Sequence, residues 1–332
     1  NKQLKGFEFK NVTDDIGIEH PISGNAGIFS DINIDGNLDI IITDEHNSNR
    51  LFIQNNIEKF NNESEVYSLA DNDVSQGAGV ADLNLDGYPD LYICNWFEPD
   101  QLYLSVDGNH FQREELHITH LKDSLNTNSV SFGDLDNDGD LDMVVTDRNS
   151  STKLYRNDLD TLSGEFGFSD FSVLSGLIIR YPSYSSIIAD FNNDGLQDVF
   201  FTNIGPNLLF VNRGDLKFEL VFEEDLAEPE YPDENYSTGA AVADIDNDGD
   251  LDLFVSNKDK NCKLYVNPLQ NSNFIRIELN GVYSNKDAIG AKIWLYNMSS
   301  SQLVGYREIL NGSGYLSTSE MIAHFGVNSN AT

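Results

Sequence analysis

Short apolar runs recur along the chain, and Asn, Asp, Gly or Ser closes each of them. Four kinds of run follow one another in a fixed order. First come small and apolar residues: AGIFS, GAGVA, SVSFG, SSIIA and GAAVA. A second run is wholly apolar or ends on Thr, Cys or Ser: IIIT, LYIC, MVVT, VFFT and LFVS. About ten residues later come RLFIQN, QLYLSV, KLYRND, LLFVNR and KLYVNP. The fourth run often opens on an aromatic: KFNNESEV, HFQREEL, FGFSDFSV, KFELVF and, more divergently, NFIRIEL. Short stretches rich in β-branched and aromatic residues, bounded by turn formers, read as strands. No segment sustains a 3.6-residue period, so helices should be few.

Between the first and second runs lies a nine-residue segment that repeats five times: DINIDGNLD, DLNLDGYPD, DLDNDGDLD, DFNNDGLQD and DIDNDGDLD. These begin at Asp31, Asp82, Asp134, Asp190 and Asp244, at spacings of 51, 52, 56 and 54 residues. Four strands in each repeat of ~50 residues predict an all-β β-propeller of four-stranded blades. A lone sheet of this kind cannot bury both faces, whereas neighbours in a ring can. Five blades carry the loop, and the count reaches six or seven only if C-terminal strands join the ring. The N-terminal FEFKNV is expected to complete the last blade and close the ring, protecting the sheet edges.

Each repeated segment fits D-x-[DN]-x-D-G-x-x-D and brings hard oxygen donors together. In the first loop these are Asp31, Asn33, Asp35 and Asp39, with the backbone carbonyl of Asn37. The second offers Asp82, Asn84, Asp86, Asp90 and the carbonyl of Tyr88, and the third Asp134, Asp136, Asp138, Asp142 and the carbonyl of Asp140. The fourth offers Asp190, Asn192, Asp194, Asp198 and the carbonyl of Leu196, and the fifth Asp244, Asp246, Asp248, Asp252 and the carbonyl of Asp250. Gly at the sixth position permits the sharp turn. Such a cage suits Ca²⁺, which takes six to eight oxygens, better than Mg²⁺, which keeps its waters. The helix-flanked calcium loop shares this opening but needs Glu at its twelfth position. Here that position is Ile42, Ile93, Val145, Phe201 or Val255, each in an expected strand. The side-chain positions carry 17 carboxylates over the five loops, and such clusters repel one another without a cation. About five structural calcium ions are therefore expected, with protein oxygens filling each shell.

Composition narrows the partners. The chain of 332 residues has 55 Asp and Glu against 20 Lys and Arg, a net charge of −35. That surface repels phosphate backbones, so nucleic acid is excluded as a partner. Membrane insertion is excluded too, because no apolar run reaches the ~18 residues of a spanning helix. The stretch after Asn1 has no signal-peptide pattern, which leaves open whether a leader was removed. Cys94 and Cys262 read as small buried hydrophobes in strands, unpaired. His117 and His120 lack a third ligand and read as a surface loop. Trp96 reads as packing, with a peptide or glycan site on a propeller face as the functional alternative. Tyr181, Tyr184, Tyr231 and Tyr236 lie in the longer inter-blade loops, where propellers meet partners. Seven N-x-S/T sequons fall at Asn11, Asn62, Asn149, Asn235, Asn297, Asn311 and Asn330.

Over about residues 5–268 these motifs resemble the FG-GAP/VCBS repeat, the blade unit of integrin α-like propellers. The resemblance implies calcium at the Asp-rich loop of each blade, on the residues named above. The C-terminal stretch, with Asn285, the IGAKI run from Ile289, the GSGYLS run from Gly312 and the HFG run from His324, resembles the ASPIC/UnbV segment. It implies two parts, a propeller over 1–268 and a β segment over 269–332, which stops where family members usually continue. His324 reads as structural. The function implied is a non-enzymatic, calcium-stabilised extracellular module for binding, adhesion or surface assembly, with a protein or glycan partner on a loop face and self-assembly open. The alternative is a polysaccharide- or phosphoester-cleaving enzyme with its site on the propeller axis. The first strands carry no acid ahead of the loops, which disfavours that alternative.

Overall fold

A computed structural model describes residues 10–18, 23–56, 59–69, 73–114, 126–149, 152–223, 236–258, 260–269, 273–312 and 314–327. The first sheet comprises β1 (Gly24–Ser30), β2 (Asp39–Asp44), β3 (Arg50–Asn56) and β4 (Lys59–Asn62). The second comprises β5 (Val74–Ala81), β6 (Asp90–Trp96), β7 (Gln101–Val106) and β8 (His110–Arg113). In the third are β9 (Thr127–Gly133), β10 (Asp142–Asp147), β11 (Lys153–Asn157) and β12 (Phe168–Asp170). After a single helical turn, α1 (Ser172–Ser175), come β13 (Ser183–Ala189), β14 (Asp198–Asn203), β15 (Leu208–Asn212) and β16 (Phe218–Glu223). The fifth sheet is β17 (Ser237–Ala243), β18 (Asp252–Asn257) and β19 (Lys263–Tyr265). Every sheet is an antiparallel meander in chain order. The first strands of successive sheets lie side by side around the axis, so the expected all-β propeller is the observed fold.

Apolar residues alternate across each sheet, and each core is shared by two blades. Ile41, Leu51 and Ile53 of the first sheet pack with Leu91, Ile93 and Tyr103 of the second. Tyr92 and Cys94 meet Met143 and Tyr155. Val144 and Leu154 meet Val199 and Phe210, and Phe200 meets Leu253 and Val255. Among the described residues no such cluster joins the fifth sheet to the first: Phe29 is 48% exposed, Phe254 45% and Leu264 54%. Phe7–Phe9, on which the expected ring-closing strand rests, lie outside the described residues.

NFIRIEL does not complete the fifth blade. It forms β20 (Phe274–Glu278), which pairs with β23 (Ile322–Gly326). A second ribbon joins β21 (Lys292–Tyr296) to β22 (Leu303–Glu308). The C-terminal strands thus add no blade. They close a small core of their own, with Ile277, Ile293, Ile309, Ala323 and Phe325, over the face that carries the Asp-rich loops. The connection from β22 to β23 dips among the first strands: Gly314 N–H donates to Val130 O at 3.3 Å, Tyr315 N–H to Ser185 Oγ at 2.9 Å, and Glu320 N–H to Val242 O at 3.1 Å. Asn311 Nδ2 reaches Phe29 O at 3.1 Å, so this connection ties the first blade to the fifth. Among the described residues no helix is long and apolar enough to cross a membrane.

Candidate metal centres

Each Asp-rich loop joins the first two strands of its blade, and all five have one backbone form. The fourth position is left-handed (Ile34, Leu85, Asn137, Asn193 and Asn247, φ 55° to 61°), as is the Gly two positions later (φ 91° to 102°). Two left-handed residues fold the loop back on its first Asp. The Oδ1 of that Asp accepts the N–H of the fifth residue in every loop, from 2.9 Å at Asp31 to 3.2 Å at Asp190. The fifth Asp in turn accepts the N–H of the seventh residue, at 2.8 Å to Asn37 and 3.3 Å to Asp250.

The ninth Asp staples its loop to the blade. Its Oδ2 accepts the N–H of the second loop residue, as in Ile32 to Asp39 at 2.9 Å and Leu135 to Asp142 at 2.8 Å. Its Oδ1 accepts an N–H at the end of the third run: Gln54, Ser105, Asn157, Asn212 or Asn267, at 2.8–2.9 Å. Three of those residues reach further. The side-chain N–H of Asn157, Asn212 and Asn267 donates to Leu83 O, Leu135 O and Phe191 O of the preceding blade, at 2.7–2.8 Å. Loop and inter-blade seam are thus one network.

The electrostatics favour a cation. Burial, with neighbouring carboxylates, pushes Asp39 and Asp134 up to about 7, Asp198 to about 8 and Asp140 to about 9. One carboxylate oxygen each from Asp134, Asp136 and Asp138 lies within 4.8 Å of the others, as do those of Asp244, Asp246 and Asp252. Asp134 Oδ2, Asp136 Oδ1, Asp140 Oδ1 and both Oδ atoms of Asp250 are buried without a hydrogen-bond partner among the described residues. Buried, converging, unsatisfied carboxylate oxygens fit a hard divalent ion. The burial of the Asp140 and Asp250 side chains goes beyond the carbonyl role expected at the seventh position. Their signal was in the sequence, since only these two loops have Asp there.

The C-terminal unit brings cations to the first Asp of the loops. Arg276 Nη1 lies 2.7 Å from Asp244 Oδ2 and Lys292 Nζ 2.9 Å from Asp82 Oδ2. Arg307, buried, is lowered to about 10 by burial, against the charges of Asp190 and Asp134. His324 is buried, its Nε2 2.6 Å from Asn193 Oδ1 and its ring stacked on Phe274, while Gly326 N–H donates to Asp190 Oδ2 at 3.0 Å. Four of the five loop glycines, all but Gly87, are covered as well. A Cβ on Gly249 would sit 1.8 Å from the Phe274 ring, on Gly139 3.3 Å from Leu303, and on Gly195 3.1 Å from Gly326 O.

Other singled-out residues scatter. Both thiols are free: Cys94 is buried as expected, but Cys262 is exposed because it precedes β19 rather than lying in it. His117, His120, Tyr231, Asn235 and Asn330 lie outside the described residues. Tyr181 packs over Gly205. Trp96, Tyr184 and Tyr236 gather at the end of the axis opposite the Asp-rich loops.

A family model described as FG-GAP-like repeat matches residues 31–93, 82–145 and 190–255, and one described as ASPIC and UnbV matches 281–332. Cartilage acidic protein 1 of Homo sapiens is 32% identical over 215 residues, 60% of this chain and 30% of that protein. The Mus musculus protein of the same name is 33% identical over 222 residues, 60% of this chain and 31% of that one. The chain therefore spans about 30% of the length of the curated relatives it matches. The solved structure of an Agrocybe aegerita lectin that recognises non-reducing terminal N-acetylglucosamine overlaps with a TM-score of 0.43 and 16% identity, over 74% of this chain and 67% of that one.

Proposed function

Because the chain belongs to the FG-GAP-like repeat family, we propose that it is a non-enzymatic binding module whose five Asp-rich loops each hold a structural Ca²⁺. The division into a propeller over 1–268 and a C-terminal β segment over 269–332 belongs to the same reading. The observation that carries the calcium assignment is the set of buried, unpartnered oxygens on Asp134, Asp136, Asp140 and Asp250. Asp134, Asp136, Asp138 and Asp142, with the Asp140 carbonyl, would hold the third ion, and the other loops repeat that donor set. The ion supplies charge neutralisation and a rigid turn, with no chemistry on a substrate. Sites with a Kd of ~10 µM would be filled at the millimolar calcium outside cells, which supports an extracellular setting.

The partner, protein or glycan, is assigned to the face opposite the Asp-rich loops, because the C-terminal unit covers the loop face. The same unit sends Gly314–Glu320 into the axis, where an enzyme of the alternative kind would need an open cleft; this supports a binder over an axial hydrolase. The net charge of −35 argues against nucleic acid, and self-assembly through the exposed sheet faces belongs to the same reading. The test is calcium stoichiometry and thermal melting. Equilibrium dialysis should find about five ions per chain. With a Kd of ~10 µM and ~1 mM free calcium, each ion would add about 2.7 kcal/mol to stability. A melting curve that EDTA leaves in place would overturn the calcium assignment.

A further inference from the structure

At the axial mouth opposite the Asp-rich loops, four blades and the C-terminal unit bring together a cation and several aromatic planes. The Arg148 guanidinium lies over the Trp96 ring, 4.6 Å from its centroid, and 5.5 Å from that of Tyr184. Tyr184 packs on Tyr236 at 5.1 Å, and their hydroxyls hydrogen-bond to each other. Tyr315, carried into the axis by the C-terminal unit, meets Tyr184 edge-on at 5.5 Å. Lys258, exposed, places Nζ 5.1 Å above the Tyr236 ring. Phe97 stands edge-on to Trp96 and is 68% exposed. Trp96 is held in place by its N–H to Asn128 Oδ1 at 3.2 Å, and Asn128 in turn by Ser183 O at 2.9 Å.

We infer that this mouth binds the terminal residue of a glycan through a sugar carboxylate. The inference rests on the binding-module reading and names the partner class for it. Two aromatic rings flank the Arg148 guanidinium, which makes no side-chain hydrogen bond among the described residues. A planar fork of donors matches a carboxylate two bonds at a time. Phe97, 68% exposed, supplies flat apolar surface for the C–H face of a pyranose, and the exposed Lys258 ammonium supplies a polar contact beside it. One arginine and one lysine in a chain of net charge −35 suit a single negative group at a chain end. A densely charged polyanion would be repelled by the surrounding surface. An acidic peptide has the carboxylate but no rigid ring to lie on the aromatic planes.

The test is saturation-transfer NMR on the calcium-loaded chain with methyl β-D-glucuronide, methyl β-D-glucoside and a short Asp/Glu peptide as probes. The uronide should give transfer at its ring protons, and the neutral glucoside roughly tenfold weaker binding or less. Arg148→Ala should abolish uronide binding, and Arg148→Lys should weaken it, since an ammonium cannot form the fork. Melting of each variant with and without EDTA reports on the fold separately. Equal binding of the glucoside, unchanged binding by Arg148→Ala, or binding of the peptide but not the uronide would each overturn the assignment. Absence of all binding, with the calcium-dependent melting shift intact, would overturn the sugar site and leave the calcium-stabilised fold standing.

Discussion

The side-chain amide of Asn212 donates to the backbone carbonyl of Leu135, 2.7 Å away in the preceding blade. It donates also to Gln197 O at 3.0 Å, while its own backbone N–H holds Asp198 Oδ1 at 2.8 Å. One buried residue therefore joins the Asp-rich loop of its blade to that of its neighbour. Asn212→Ala would leave two buried carbonyls without this donor. We expect a loss of about 2 kcal/mol, measured by urea denaturation in calcium.

The loop glycines separate backbone strain from packing. Gly87 and Gly249 share a left-handed φ, 97° and 92°, but a Cβ on Gly87 meets nothing within 4 Å, whereas on Gly249 it strikes the Phe274 ring. Gly87→Ala should cost about 1–2 kcal/mol, the strain alone. Gly249→Ala should cost more and should also free the C-terminal unit, visible as faster proteolytic cleavage between residues 265 and 274. Equal losses would contradict the packing of Phe274 on the loop.

Arg276 neutralises Asp244 and Glu320 together, at 2.7 and 2.8 Å. Arg276→Met removes a cation that is 20% exposed from an aspartate that is 2% exposed. In EDTA the loss should be about 3 kcal/mol, because Asp244 is left buried and unpaired. In calcium the loss should be smaller, since the ion then balances the same carboxylate. The comparison is two melting curves per variant, and an identical loss in both solutions would argue against a shared charge.

Acidity should act in opposite senses with and without metal. Burial raises Asp39, Asp134, Asp198 and Asp140 in the metal-free chain to between about 7 and about 9. In that state the fold binds protons more tightly than the unfolded chain, so stability falls as pH rises from about 4 through those values. The EDTA-treated protein should therefore melt higher at pH 5 than at pH 8. With calcium bound, the carboxylates stay ionised and acidification should instead lower the melting point by releasing the metal.

Much of this was readable beforehand. The loops at Asp31, Asp82, Asp134, Asp190 and Asp244, with the strands around them, follow from local patterns that repeat, and each repeat checks the others. What escaped depends on contacts between distant parts. NFIRIEL has the alternation of a fourth blade strand, but nothing local says that it pairs with Ile322–Gly326 instead. The third-run asparagines look like turn formers until the neighbouring carbonyl is in view. Gly249 is explained by backbone conformation alone, so its second role under Phe274 leaves no local trace. The mouth around Arg148 draws Trp96, Tyr184, Tyr236 and Tyr315 from segments that share no motif.

The connection that binds the first blade to the fifth, through Asn311 to Phe29 and Glu320 to Val242, comes after all five sheets in chain order. During synthesis every described sheet leaves the ribosome before this fastening does, so the tie from the first blade to the fifth through Asn311 and Glu320 is the last of these contacts to form.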